Sequence, residues 1–433
     1  MEITKNITKT SIKIGKLCFL LVSFVVLYNC STSSYTPTKR HKNLSYLYNE
    51  SEAFLHPQYQ VYNLSKDSSV VFVKLPTKDL LIRDLGSDFE EYGLVELHYR
   101  LYESLSTGGL IDSLTFFQKI IIKKNQPLNI FSFLIKTPNY QKSYLSIKIK
   151  DVFSERARKD YLEIDKTRSI NRQSFLIKNS VTREPIFGSE LFINQLYDIQ
   201  SPLMQKYSLF VQEQSTINTI PNLPFSKQRT PSVRFESDTS YLSVDFQIGL
   251  NTERLAFLSF DTTRVKGVAF YFYDSIANYL HTPQQMLEPL TYFLSPQAYT
   301  TLLQDSNPKF ALDKFWLKVA GNTERAQEMI KVYYHRISVA NKYFSSYKKG
   351  WRTDRGMIYA IYGEPSKIYK SQTLERWIYG SMDSDKSLSF DFDKIRNPFT
   401  DNDFRLVRDE TYKQSWFQAI DSWLNGRIYS IAK

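Results

Sequence analysis

The residues with the most capacity for chemistry sit close together late in the chain, in the stretch GWRTDRGMIYAIYGEP from Gly350 to Pro365. Asp354 and Glu364 are carboxylates that could move a proton, and Arg355 could hold an anion. General acid–base catalysis wants two titratable groups on one pocket, and nucleophilic hydrolysis wants a Ser or Cys beside a base. Neither pattern is evident around the stretch. The five histidines, at positions 41, 56, 98, 281 and 335, show no ligand spacing, and HExxH, GxSxG and a glycine-rich phosphate loop are all absent. A second acidic stretch, SFDFDKIRNPFTDNDF, gathers Asp391, Asp393, Asp401 and Asp403. Oxygen-rich loops of this kind can hold calcium, yet FDFD is also plain strand alternation and the EF-hand spacing is missing. The expectation is no catalytic residue, no metal and no cofactor, with a hydrolase using Asp354 and Glu364 as the enzymatic alternative.

The same residues read well as architecture. Ala326, Met329, Ile330, Tyr333, Ile337, Ala340 and Phe344 recur at spacings of three and four, which predicts a long helix capped by Asn322 or Thr323. Gly350, following Lys348 and Lys349, is expected to be the glycine that ends this helix. Trp351 offers a large ring for burial where the chain reverses, and Thr353 and Asp354 can bond nearby amides. Arg355 is expected to pair with Asp354 or another carboxylate, and Gly356 follows. MIYAIYG is rich in strand formers, so a strand is predicted there, broken at Tyr362-Gly363-Glu364-Pro365. ERWIYG, with Trp377 and Tyr379, reads as its hairpin partner. In the tail, Trp416, Phe417, Ile420, Trp423 and Leu424 share one helical face, with Asn425-Gly426 as the stop. That face suits core packing, or docking on a partner or a membrane surface.

Upstream, the elements are strands. VVFVKL, LVELHYRLY, KIIIKK, IFSFLIK and YLSIKIKDVF are separated by turn clusters such as SLSTGG, at the spacing of an antiparallel sandwich. A second set follows from Ser174: SFLIKN, ELFINQLY, YSLFVQ, RFESDTSYLSVDFQIG, RLAFLSFD and GVAFYFYD. In SYLSVDFQI, Leu242, Val244, Phe246 and Ile248 alternate as one face. Near Thr282 the texture becomes helical, in short pieces interrupted by Pro289 and Pro296. The predicted fold is multidomain and mainly β: two antiparallel β-sandwich (Ig-like) domains, residues 46–165 and 166–285, then connecting short helices over 286–310 and an α+β domain over 311–433.

The first thirty residues carry a different message. Lys5, Lys9, Lys13 and Lys16 precede an apolar run, Leu17 to Tyr28, which is too short for a spanning helix of about 20 residues and suits a signal peptide. Both cysteines of the chain, Cys18 and Cys30, fall here. The rest therefore has no disulfide, zinc-thiolate site or cysteine nucleophile. A net charge of +12 is spread along the chain with no basic run, so no nucleic-acid partner is expected.

The run ending at Cys30 resembles a bacterial lipoprotein signal, with residues 1–29 removed, Cys30 lipidated and 30–45 a polar tether. The stretch around Gly350, Trp351, Thr353 and Asp354, with Arg355, Gly356, Tyr362-Gly363-Glu364-Pro365, Trp377 and Tyr379, resembles the GWxTD-domain proteins, lipoproteins of Bacteroidota. GMIYAIYGEP also resembles, more faintly, a turn in small lipoproteins that accompany the outer-membrane barrel-assembly machinery. The resemblance implies a lipid-anchored outer-membrane protein, on the periplasmic side rather than the surface because STSSYTPTKR lacks acidic residues. It implies no known catalytic activity. A non-enzymatic subunit of an envelope complex for outer-membrane protein assembly, secretion or gliding is expected, with an outer-membrane β-barrel or its assembly machinery as partner. A glycan- or lipid-binding module is the alternative.

Overall fold

The computed structural model describes residues 44–45, 54–84, 91–104, 108–123, 126–228, 237–260, 266–273, 282–371, 373–381, 387–397 and 400–431. The signal stretch, Cys30 and most of the tether lie outside the described residues. Residues 42–433 form one compact unit. Within it, three cores can be traced.

The first module comprises β1 (Gln58–Tyr62), β2 (Ser68–Pro76), β3 (Arg83–Asp84), β4 (Glu91–Ser104), β5 (Gly108–Ile121), β6 (Leu128–Lys136), β7 (Lys142–Asp151) and β8 (Ala157–Asp165). One antiparallel sheet has the order β1-β2-β6; the other runs β3-β4-β7-β8, with β5 on the far side of β4. In β2 every second residue is buried, as a strand with one face on a core requires. Val71, Val73 and Leu75 meet Val95, Leu97, Ile147 and Ile149 of the opposite sheet.

The second module comprises β9 (Leu176–Asn179), β10 (Glu190–Phe192), β11 (Tyr197–Gln200), β12 (Leu209–Gln214), β13 (Thr239–Ser243), β14 (Gln247–Ile248), β15 (Arg254–Ser259) and β16 (Gly267–Tyr273). Its sheets are β14-β11-β9 and β10-β16-β15-β12-β13, around Phe175, Ile177, Tyr197, Val211, Leu258 and Phe270. Two local expectations are corrected. ELFINQLY is two strands, because Asn194 takes a left-handed conformation at φ 59° and sends the halves into different sheets; β10 then pairs parallel with β16. SYLSVDFQI breaks at Phe246, φ 53°, and Leu242 and Val244 stay exposed, so its alternating face is not a core face. In β16, by contrast, the unbroken apolar run GVAFYFY is buried on both sides. Phe270 and Phe272 face the core of the second module, while Ala269 and Tyr271 join Leu255, Phe257 and Tyr347 on the outer face.

Tyr347 belongs to the third module, which comprises α1 (Pro283–Leu287), α2 (Pro296–Leu303), α3 (Pro308–Ala320), α4 (Thr323–Phe344), α5 (Asp354–Tyr362) and α6 (Tyr412–Leu424), with β17 (Lys367–Lys370), β18 (Leu374–Tyr379), β19 (Leu388–Lys394) and β20 (Phe404–Leu406). The sheet is antiparallel in that order. Short side chains start the helices: Thr282, Ser295, Asn307 and Asn322 each accept an amide hydrogen bond three residues on. The pieces between 286 and 310 do more than connect. Leu287, Leu290, Tyr292 and Phe293 share one core with Trp316, Tyr333, Trp351, Trp377 and Trp423. Among the described residues, no helix is long and apolar enough to cross a membrane.

Three expectations about the 350–380 stretch are overturned. Gly350 does not end the long helix: α4 stops at Phe344, with Ser345 extended, and Gly350 opens a 3-10 turn, Gly350–Arg352. MIYAIYG is helical, forming most of α5. All nine residues of α5 are buried, so the segment has no polar face from which a 3.6-residue period could be read, and tertiary packing overrides strand propensity. ERWIYG therefore pairs with β17 and β19 instead. The tail helix forms as expected and buries Trp416, Ile420 and Trp423, while Phe417 and Leu424 remain partly exposed. Replacing Trp423 by Ala should lower the stability of the third module by about 3–5 kcal/mol, as a buried ring is exchanged for a cavity. A denaturation midpoint that does not move would show that this core is not shared.

Candidate functional site

The turn at Gly350 is the point where three backbones meet. A Cβ on Gly350 would lie 2.0 Å from the Ala340 carbonyl oxygen in α4, and one on Gly356 would lie 1.9 Å from the Gly350 carbonyl oxygen. Only glycine allows either approach. Side chains then lock the contact. The Trp351 amide donates to Asn341 Oδ1 at 3.0 Å, and the Trp351 carbonyl accepts from the Tyr292 hydroxyl at 2.5 Å. Tyr292 also meets the Trp351 ring edge-on, at a centroid distance of 6.0 Å. Thr353 caps α5: its hydroxyl donates to the Gly350 carbonyl at 2.7 Å and accepts from the Gly356 amide at 3.0 Å.

The charged residues are drawn inward. Asp354, in the first turn of α5, accepts from the Leu406 amide at 2.8 Å and from Arg408 at 2.6 Å. Arg408 also donates to the Asn222 carbonyl at 2.9 Å, in the loop after β12. Arg352 lies over the Trp351 ring, pairs with Glu288 at 3.0 Å and donates to the Asn218 carbonyl. Arg355 does not pair with Asp354. It pairs with Glu375 of β18 at 3.2 Å, with side-chain exposures of 2% and 0%, and sits between the rings of Phe404 and Phe344. Glu375 accepts in addition from Trp377 Nε1 at 2.7 Å and has Lys370 at 3.4 Å.

The far end of α5 is closed by donors from other elements. Gly363 has φ 79°, and a Cβ there would lie 2.8 Å from the Arg336 guanidinium. Arg336 donates to the carbonyls of Ile361 at 2.8 Å and Tyr429 at 2.9 Å; Trp423 Nε1 also donates to Ile361, at 3.1 Å. Burial pushes the Arg336 pKa down to about 10. Tyr379 donates to the Gly363 carbonyl at 2.9 Å, and burial holds its pKa well above the ordinary tyrosine value, as it does for Tyr292 and Tyr333. These buried hydroxyls are donors to backbone carbonyls. Tyr362 and Pro365 are buried beside them.

The structure thus brings Gly350, Trp351, Thr353, Asp354, Arg355, Gly356, Tyr362, Gly363, Pro365, Trp377 and Tyr379 into one cluster. Asp354 and Glu364 are not brought onto one pocket, since they flank α5 and lie roughly 15 Å apart along its axis. The aspartates of the SFDFDKIRNPFTDNDF stretch have separate partners: Asp391 pairs with Arg376 at 2.5 Å, Asp401 with Arg168, and Asp403 accepts from Asn397 at 2.6 Å. Among the described residues, no three metal-ligating side chains converge. Sequence reasoning missed Glu375, Arg408, Asn341 and Arg336. For Glu375 a signal existed, because it shares an inward strand face with Trp377 and Tyr379, where a carboxylate needs a buried partner. The others lie on loops and helices with no comparable mark.

A link to the second module lies beside the turn. Glu190, at the start of β10, bonds the Ser345 hydroxyl, which itself accepts from the Gly350 amide at 3.0 Å. Burial pushes Glu190 up to about 7, against the opposing pull of Ser345 and Lys349.

Residues 255–425 match the GWxTD domain, so the chain carries that domain from β15 to the end of α6. The matched span starts well before residue 311 and takes in the β15–β16 hairpin on which Tyr347 packs. No curated protein sequence matches the chain. Solved structures with partial likeness include a β-glucuronidase of Bacteroides uniformis (7% identity, TM-score 0.17, 28% of this chain and 13% of that one). Another is the B. uniformis β-glucuronidase 2 bound to cyclophellitol-6-carboxylate aziridine (10%, TM-score 0.16, 27% and 15%). A third is red sea bream transglutaminase (7%, TM-score 0.20, 52% and 32%). The chain spans less than a third of each.

Two outcomes are expected. Glu375→Leu leaves the Arg355 guanidinium buried without a carboxylate and should cost about 3–5 kcal/mol, whereas the double replacement Arg355→Met with Glu375→Leu should cost much less. Denaturant unfolding of the three variants measures the difference; equal losses would remove the ion pair from its assigned role. For Glu190, the raised pKa means the folded chain holds a proton that the unfolded chain has released. Its stabilisation is full below about 4.5, the ordinary value, and is lost as pH rises through about 7. Glu190→Gln should flatten the stability profile across that window.

Proposed function

We propose that the chain is a non-enzymatic, lipid-anchored outer-membrane protein of a Bacteroidota bacterium. In this reading it is a structural or accessory subunit of an envelope complex, facing the periplasm through an acylated Cys30. The observation that carries this reading is the commitment of the motif's ionisable groups. Asp354, Arg355, Arg352 and their partners Arg408, Glu375 and Glu288 are all consumed in internal ion pairs. They join α4, α5, the sheet and the loop after β12 into one body, so these six groups serve packing inside the module. A protein built this way presents rigid surfaces, with the two Ig-like sandwich modules as spacers between anchor and partner. Outer-membrane protein assembly, secretion and gliding machineries are the hosts that fit.

A glycan- or lipid-binding module is the second reading, favoured by a polar cavity between the second and third modules, which Arg172 and Val268 help to line. The distinguishing experiment is extraction of the natively anchored chain in mild detergent followed by affinity recovery. An outer-membrane β-barrel protein should co-purify in a fixed ratio with the wild type and not with Cys30→Ala, which should also lose radiolabelled fatty acid. A chain that elutes alone, or a Cys30→Ala protein that keeps its label, sinks the subunit reading or the anchor respectively.

A further inference from the structure

A cavity of about 450 Å³ lies where the second and third modules meet the link that follows the first. One wall is the 167–172 link between the sandwiches, the second is the start of β16, and the third is the loop after β19. Its charge is unbalanced. Among the described residues Asp401 is the one carboxylate on the wall, and it is already paired with Arg168, which also has Asp165 at 3.6 Å. Arg172, Lys266 and Arg396 line the same space, and none of the three has a carboxylate partner among the described residues.

Arg172 is the most telling of these. Its guanidinium donates to the carbonyls of Phe175 at 2.8 Å and Gly188 at 2.6 Å and lies over the Phe270 ring, so its position is fixed by neutral groups alone. Burial pushes its pKa down to about 10, the mark of a cation whose surroundings do not compensate it. A half-buried guanidinium with no carboxylate partner, flanked by two exposed cations, attracts a counter-ion. Lys266 and Arg396 are exposed at the rim, where they can close on a charge held below. The remaining wall includes the hydroxyls of Thr167, Ser169 and Thr400 and the apolar Ile170 and Val268. A second cavity, of about 550 Å³, shares Arg172, Val268, Thr400 and Asp401 and extends toward His335 and Lys342. The space exceeds that needed for a bare phosphate, and its mixture of cations, hydroxyls and short apolar faces matches a sugar ring bearing a phosphate.

We propose that this junction is a binding site for a phosphorylated sugar, whose phosphate is held by Arg172, Lys266 and Arg396 and whose ring lies against Val268 and the threonine hydroxyls. The proposal does not depend on the subunit reading; a chain that fails to recover a β-barrel partner could still bind such a ligand. Occupation would bridge the second module, the third module and the 167–172 link, because these supply the wall.

The test is titration calorimetry on the full chain in detergent, with glucose 1-phosphate, glucose and inorganic phosphate as probes. Flotation with phosphatidylcholine vesicles, with and without phosphatidylinositol 4-phosphate, supplies a membrane arm. Saturable binding of glucose 1-phosphate, competition by inorganic phosphate and no binding of glucose are expected. The double variant Lys266→Glu with Arg396→Glu, both at exposed positions, should raise Kd by about tenfold or more while leaving the melting temperature unchanged. Flotation only with the phosphoinositide, competed by glucose 1-phosphate, would identify a lipid headgroup as the source; binding of glucose 1-phosphate without flotation would identify a soluble one. The site is overturned if neither glucose 1-phosphate nor the phosphoinositide vesicles bind, if glucose binds equally well, or if the folded double variant binds like the wild type.

Discussion

The contact on which the third module depends is the approach of the Gly350 turn to the backbone of α4, followed by the approach of α5 to that same turn. Two missing side chains, at Gly350 and Gly356, let three stretches of main chain pack at distances that any Cβ would forbid. Every other feature of the motif serves that contact. The Thr353 hydroxyl bridges the turn to α5, the Trp351 ring fills the space beside it, and Asn341 and Tyr292 satisfy the turn's own amide and carbonyl. Buried polar backbone without such partners would cost more than the packing returns.

Charge is used here to fix registry. A buried ion pair contributes little net stability against a well-packed apolar alternative, yet breaking one partner away is expensive. Arg355 with Glu375 fixes α5 against β18, Asp354 with Arg408 fixes it against β20, and Arg352 with Glu288 fixes the turn against the short helices. A sliding or rotated α5 would strand a charge in a core of aromatic rings. Arg336 and Trp423 act in the same sense at the other end, meeting carbonyls that the helix leaves open.

These locks also reach outward. Arg408 and Arg352 donate to Asn222 and Asn218, and Tyr347 covers the outer face of β15 and β16. The second module therefore supplies part of the wall of the GWxTD domain, in agreement with a family match that begins at residue 255. The domain boundary expected at residue 311 followed a change from strand to helix texture, and texture does not record which core a strand's second face joins.

Much was legible without coordinates. The strand-rich first half, the apolar stripe of α4, a cap at Asn322 or Thr323, the tail helix and its Asn425-Gly426 stop all follow from periodicity and local hydrogen-bonding chemistry, which act over a few residues. The cluster of motif residues was also legible as a set, because tryptophan, glycine and threonine at fixed spacing imply burial and turning. What the sequence could not determine was the conformation of MIYAIYG, since a helix buried on every side shows no amphipathic period. The partners of Asp354 and Arg355 were equally hidden. They lie at Arg408 and Glu375, distant along the chain, and ion pairs across a core are chosen by where the fold brings charges together. Local physics determined the elements and the stiffness of the motif; only the tertiary structure decided which faces are inside, because burial is a property of the assembled chain and not of any segment in it.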